Sequence, residues 1–209
     1  MKCIYIALIK AHTGLGAVGR QITGFEYTHA AVCLDDTFTE FITFSRRRHY
    51  LPFDAGFMRE TRSCYAFGKH KSFKAKIYRI PVNSEQLAEI SRYIRTCEND
   101  GYIFNLISMA TMPLLHGTHI YKARNCMSFC AEIAELAGVR LTKPFYKYSI
   151  SGLDKALCKC TCFEGYIKKH CEDYPDKYMK IPTPWEYAQK AAELLTELAR
   201  RIRKYGIRR

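Results

Sequence analysis

The chain is predicted to fold as an α+β protein. Its β-patterned runs come in blocks set apart by helical stretches, and no strand–helix–strand rhythm repeats along it. It shows no internal repeat and no low-complexity linker. At 209 residues, 48% hydrophobic and 25% charged, with 15 Tyr and 12 Phe, it is long and apolar enough for one domain with a real core.

Taken in order, "CIYIALIK" is a first strand, and "GLGAVGRQITGF" is a glycine-rich turn entering a short helix. "THAAVCLDDTFTEFITF" reads as a hairpin, two β-rich runs around the turn-prone pair Asp35-Asp36. "KAKIYRIPV" is a further strand ended by Pro81. Asn83 or Ser84 then caps a helix whose Leu87, Ile90 and Ile94 fall at helical spacing. "GYIFNLISMATM" is a second, largely apolar helix stopped at Pro113. A third opens in "RNCMSFCAEIAELAG", with Asn125 as N-cap and Gly138 just past its end. "ALCKCTCFEGYIKK" returns to a strand pattern. From Pro184 to Arg209 runs a basic amphipathic helix with Tyr187, Ala191, Leu194, Leu195 and Leu198 along one side. The expected organisation is a domain over residues 1–183 followed by this helix over 184–209, docked on the domain by default.

The formal net charge is +13. Between Arg46 and Arg79 ten Lys and Arg face only Asp54 and Glu60, and "RRIRKYGIRR" closes the chain. Such clusters suit an anionic partner such as a phospholipid surface or nucleic acid, or are simply solvated. The opening "MKCIYIALIKAHTG" is too short an apolar run for a signal peptide, and no run approaches membrane-spanning length. The ten cysteines are therefore expected as free thiols in a reducing, cytoplasmic setting.

In the hairpin, a two-residue turn at Asp35-Asp36 sets Ala31 opposite Glu40. His29 then lies on the same face as Glu40, as a diagonal neighbour about 7 Å away at Cα. A register slip of one residue would separate the two. A buried carboxylate needs a partner, and an imidazole held by one is a tuned base for removing a thiol proton. Cys126 and Cys130 stand one turn apart on the same side of the third helix, but only Cys126 has the helix start, where free N–H groups and the dipole favour a thiolate. Cys130 is expected to pack beside Phe129.

With His29, Glu40 and then Cys126 in this order, the chain resembles the permuted branch of the NlpC-type papain-like cysteine hydrolases. "GAVGRQITGFEYTHAAVCL", with Tyr27-Thr28-His29-Ala30, is similar to the family's histidine strand. "FTEF" is similar to the strand of its third polar residue, and "NCMSFCAEIAELAGV" to the nucleophile helix shared with the lecithin:retinol acyltransferase-like members. "TKPFYKYSISGLDKAL" and "FEGYI" resemble the closing loop and last strand, so the likeness covers about residues 1–167. It implies an antiparallel sheet or half-barrel packed on the nucleophile helix, with Cys126 as nucleophile, His29 as base and Glu40 as orienting group. The implied reaction cleaves an amide or ester bond of a peptide or lipid substrate and needs no cofactor. The lipid-acting relatives carry a second histidine where Glu40 falls and a Glu-His dipeptide where Met127-Ser128 stand. The chain thus leans toward members whose third residue is glutamate. Tyr27 and Asn125 are the expected substrate contacts. An idle papain-like module binding an anionic partner is the alternative.

Two other clusters compete. His116 and His119 precede Cys126 and are alternative bases, though without a carboxylate nearby in sequence. Cys158, Cys160 and Cys162, with His170-Cys171, invite a zinc reading, but C-x-C-x-C lacks the usual two-residue gap. In a strand these three cysteines would share one buried face.

Overall fold

The structure is a computed structural model that describes residues 2–12, 14–115, 117–169 and 171–208. It is α+β, with a six-stranded antiparallel sheet and six α-helices among the described residues. The sheet contains β1 (Lys2–Ile9), β2 (His29–Cys33), β3 (Phe41–Arg48), β4 (Leu51–Glu60), β5 (Ser72–Val82) and β8 (Thr161–Lys168), in the order β4-β3-β2-β1-β5-β8. A separate parallel pair joins β6 (Ile103–Phe104) to β7 (Ala123–Arg124). The helices are α1 (Gly14–Thr23), α2 (Ser84–Asn99), α3 (Leu106–Leu115), α4 (Cys126–Leu136), α5 (Ile150–Leu157) and α6 (Pro184–Tyr205).

The first strand is apolar at nearly every position because both sheet faces are covered. Ile4, Ile6 and Leu8 alternate onto the face that packs α2, α4, α5 and α6. Ala7 and Ile9 alternate onto the other face, closed by Tyr65, Phe73 and Tyr178. α4 is pinned through Phe129, fully buried among Phe44 (5.4 Å between ring centroids), Tyr93 (5.9 Å) and Phe57 (6.3 Å). Truncating such a ring costs about 3–5 kcal/mol, so Phe129 fixes where the start of α4 sits.

Several expectations need correction. The β2–β3 connection is not a two-residue turn: it covers residues 34–40, and the register places Val32 opposite Ile42. The Asp35 side chain accepts from the Thr37 amide at 2.9 Å, and Phe38 adopts a left-handed φ of 49°. This self-bonded loop replaces the tight hairpin. β4 was not anticipated at all, since its segment reads first as a basic cluster. Ile103 and Phe104 leave the second predicted helix to pair with β7, and α3 runs through Pro113 to Leu115. Cys158–Cys160 form a 3₁₀ turn, and β8 is a largely exposed edge strand, so Cys158 and Cys162 are exposed and Cys160 is half-buried. The expected buried row of thiols does not form, because no second layer covers that edge.

α6 packs on β4 through Leu194 and Leu198, with Phe53 edge-on to Tyr187. Leu195, expected on the docked side, is half exposed. Between Arg46 and Arg79, Asp54 and acids from outside the segment neutralise much of the local charge. Arg48 pairs with Asp54 and Glu186, Arg59 with Glu40 and Glu98, Lys74 with Glu26, and Lys76 with Asp154. No helix among the described residues is long and apolar enough to cross a membrane.

Candidate active site

α4 begins as its sequence dictates. Asn125, in extended conformation, accepts from the Ser128 amide through its side chain (2.9 Å), and Ser128 Oγ accepts from the Asn125 amide (3.0 Å). This reciprocal cap leaves Cys126 at the first helical position, where its own N–H has no intrahelical acceptor. Just before it, Arg124 is buried, donating to Glu132 (2.6 Å) with its guanidinium 4.7 Å from the Phe145 ring centre. The approach to the start of α4 is therefore held by an ion pair and an aromatic wall.

His29 opens β2 and is the meeting point. Its Nε2 lies 3.0 Å from Glu60 Oε2. The Cys126 thiol is near enough to the same ring to raise its pKa. Burial alone would drive the imidazole toward its neutral form. The Glu60 charge, the interactions of the ring with Cys126 and its hydrogen bond to Glu60 outweigh it, and the His29 pKa rises to about 10.

Glu60 is the last residue of β4 and is 4% exposed. Burial opposes its ionisation, but His29, Ser45 and Tyr65 all favour the carboxylate and hold its pKa below the usual range. Ser45 Oγ donates to Oε1 (2.5 Å) and Tyr65 Oη to Oε2 (2.6 Å). The Tyr65 ring is itself wedged against Phe41 (5.0 Å), Phe73 (5.1 Å) and His29 (5.7 Å). An ionised carboxylate with three donors is the condition under which a buried charge is tolerated.

The structure thus brings Cys126 and His29 together and leaves Glu40 out. Glu40 precedes β3 in the loop, exposed, and receives Arg59 Nη1 at 2.7 Å. The longer loop shifts the register, so the expected His29–Glu40 face does not exist; Glu60 supplies the carboxylate. Tyr27 is not free to meet a ligand: it is 4% exposed and its hydroxyl donates to Glu164 at 2.7 Å. Asn125 is fully buried as the cap, so it too is structural. Cys130 is fully buried, and burial, then the nearby Cys126 and Cys33, push its thiol well above the ordinary range. It is a packing residue.

His119 lies elsewhere, against Phe145 and Tyr146, and its backbone pairs with Arg208. His116 and His170 lie outside the described residues. Among the described residues no group of three or more His, Cys, Asp or Glu is placed to hold a metal ion. A cavity of about 320 Å³ lined by His119, Tyr121, Tyr205, Gly206 and Arg208 includes none of the site residues.

Sequence reading missed Glu60, Ser45 and Tyr65. The available signal was the alternation of Leu51, Phe53, Ala55 and Phe57 with Pro52, Asp54 and Gly56, which marks β4 and puts Glu60 on the opposite face with Met58. Comparison of the chain with protein-family models, with curated proteins and with solved structures finds no match.

Proposed function

We propose that the protein is a thiol hydrolase that cleaves an amide or ester bond through a thioester on Cys126. His29 is the base and Glu60 the group that orients and charges it. The observation that carries this reading is His29 set between Glu60 and a thiol at a capped helix start. His29 takes the thiol proton, and the thiolate adds to the substrate carbonyl. The resulting oxyanion meets the free Cys126 backbone N–H at the head of α4. The imidazolium then protonates the leaving amine or alcohol, and water, deprotonated by the same ring, releases the acid and restores the thiol. The order of histidine, carboxylate, then nucleophile helix around an antiparallel sheet supports the permuted papain-like fold of the NlpC-type hydrolases. Glu60, rather than Glu40, takes the third place.

The test is alkylation by iodoacetamide with peptide mapping, followed by mass-spectrometric trapping of an acyl-enzyme from peptide amides and lipid esters. Cys126 should alkylate at pH 6 faster than the exposed Cys158, Cys162 and Cys171. His29→Ala should slow acylation by about 10²–10⁴-fold. A Cys126 no more reactive than these surface thiols, in a variant series where His29→Ala changes nothing, removes the enzyme reading.

A further inference from the structure

Past α6 the basic stretch "RRIRKYGIRR" folds back on the domain. Gly206 takes a left-handed φ of 75°, and the chain turns so that the Arg208 carbonyl accepts from the His119 amide (2.9 Å) while the Arg208 amide donates to the His119 carbonyl (3.1 Å). This fold-back frames the cavity of about 320 Å³ lined by His119, Tyr121, Tyr205, Gly206 and Arg208. Two rings dominate its walls: Tyr121, 44% exposed, and Tyr205, 48% exposed, with centroids 4.2 Å apart. Aromatic walls with a few convergent polar groups are the makeup of a small-molecule site. Cations surround the rings, and no carboxylate lines the cavity. Lys204 Nζ lies 5.1 Å from the Tyr205 ring centre and Lys122 Nζ lies 6.0 Å from that of Tyr121. The side chains of Lys204 and Arg208 form no ion pair among the described residues, whereas Arg200 and Arg201 are held by Glu197. Half-buried His119 is kept neutral by burial and then by the Arg124 and Arg208 charges, against Glu132, so its ring offers one donor and one acceptor.

We propose that this cavity binds a single nucleotide, with the base stacked on Tyr205 and the phosphate met by Arg208 and Lys204. The exposed Lys204 side chain is free to leave the ring for the phosphate, where a full negative charge holds it better. The two tyrosines give a planar ring a platform that an inorganic anion would leave unused. The cations in turn give the ligand's charge a partner that a neutral aromatic compound would leave unused. A single-stranded nucleic acid would call for a cationic groove running on over several nucleotides. One turn back along α6, Arg200 and Arg201 are already neutralised by Glu197, so the free charge is confined to the cavity's rim. Its volume is at the small end for ligand sites and suits one nucleotide. None of Cys126, His29 and Glu60 lines it, so the site stands apart from the thiol chemistry.

Isothermal titration calorimetry of the full chain with AMP, at physiological ionic strength, tests this; adenosine, inorganic phosphate and a short single-stranded oligoadenylate are the comparisons. AMP should saturate one site and bind at least about 10-fold tighter than adenosine or phosphate alone. Tyr205→Ala should weaken AMP by about 5–150-fold, the range for loss of one base–aromatic stack, and Tyr205→Phe should retain it. Arg208→Ala should weaken it by at least about 10-fold, and Lys69→Ala, which removes a cation outside the cavity, should change nothing. These side chains are exposed, and matched urea unfolding curves check that the variants fold. No saturation by millimolar AMP overturns the proposal, as does adenosine or phosphate binding as tightly as AMP. AMP binding that is indifferent to Tyr205→Ala or to Arg208→Ala, or lost in Tyr205→Phe, overturns it as well. Oligoadenylate binding that AMP does not displace overturns it in favour of a surface for a nucleic-acid strand.

Discussion

Glu40 and Glu60 stand at the same end of the β3–β4 hairpin, where Phe41 pairs with Glu60, yet they live in different media. Glu40 and Arg59 form an exposed pair in which Arg59 also grips Glu98 with two nitrogens (2.8 and 2.9 Å). Glu60, one residue after Arg59, is turned inward by the strand pleat onto His29, Ser45 and Tyr65. A single step along β4, from Arg59 to Glu60, thus separates the partner of a carboxylate that water screens from a carboxylate that sets the charge of the His29 ring. Burial and donor count, not proximity in sequence, make the second one consequential.

The contrast yields a graded set of expectations. Glu60→Ala should be the most damaging, because it leaves a buried imidazole and two hydroxyls without their acceptor. A loss of about 3–5 kcal/mol in urea unfolding is expected, together with loss of the enhanced Cys126 alkylation. The pair also shapes stability against pH. Glu60 ionises below its ordinary 4.5 in the fold, so its contribution is present above that value and lost as pH falls through the lowered one. His29 is raised from 6.5 to about 10, so its contribution is complete below 6.5 and declines as pH climbs toward 10. Urea midpoints should therefore be highest between about 4.5 and 6.5, and Glu60→Gln should flatten both limbs. Tyr65→Phe removes one charge-assisted hydrogen bond and keeps the ring packing, for about 1.5–3 kcal/mol and a shifted pH profile of Cys126 alkylation. Glu40→Ala should cost less than about 1 kcal/mol and leave the alkylation rate unchanged, since Arg59 keeps Glu98. A Glu40→Ala variant as inert as Glu60→Ala would erase the distinction between the two glutamates.

Local chemistry was readable where it is decided locally. The Asn125 cap, Cys126 at the first helical position, Gly138 beyond the end with φ 88°, and His29 in a strand all follow from a few adjacent residues. The carboxylate was not readable, because its assignment depended on the length of one loop. Asp35 and Asp36 suggest a two-residue turn, but Asp35 instead bonds to Thr37 and Phe38 turns left-handed, which changes the register. The charge-rich surroundings of Glu60 masked the strand alternation that would have placed it. The edge position of β8 is likewise a property of topology, so its cysteines read as core when they are surface.

One side chain of α6 reaches back toward Cys126. Arg201 of α6 donates to the carbonyls of Gly101 (2.7 Å), Lys122 (2.5 Å) and Tyr121 (3.2 Å). Two of these, Tyr121 and Lys122, lie immediately before β7, which leads directly into Asn125 and Cys126. α6 is thus a fastening on the doorstep of Cys126, not an appendage that can be trimmed away. The segment leading into Cys126 is therefore fastened by a helix that follows every residue of the candidate site in the chain.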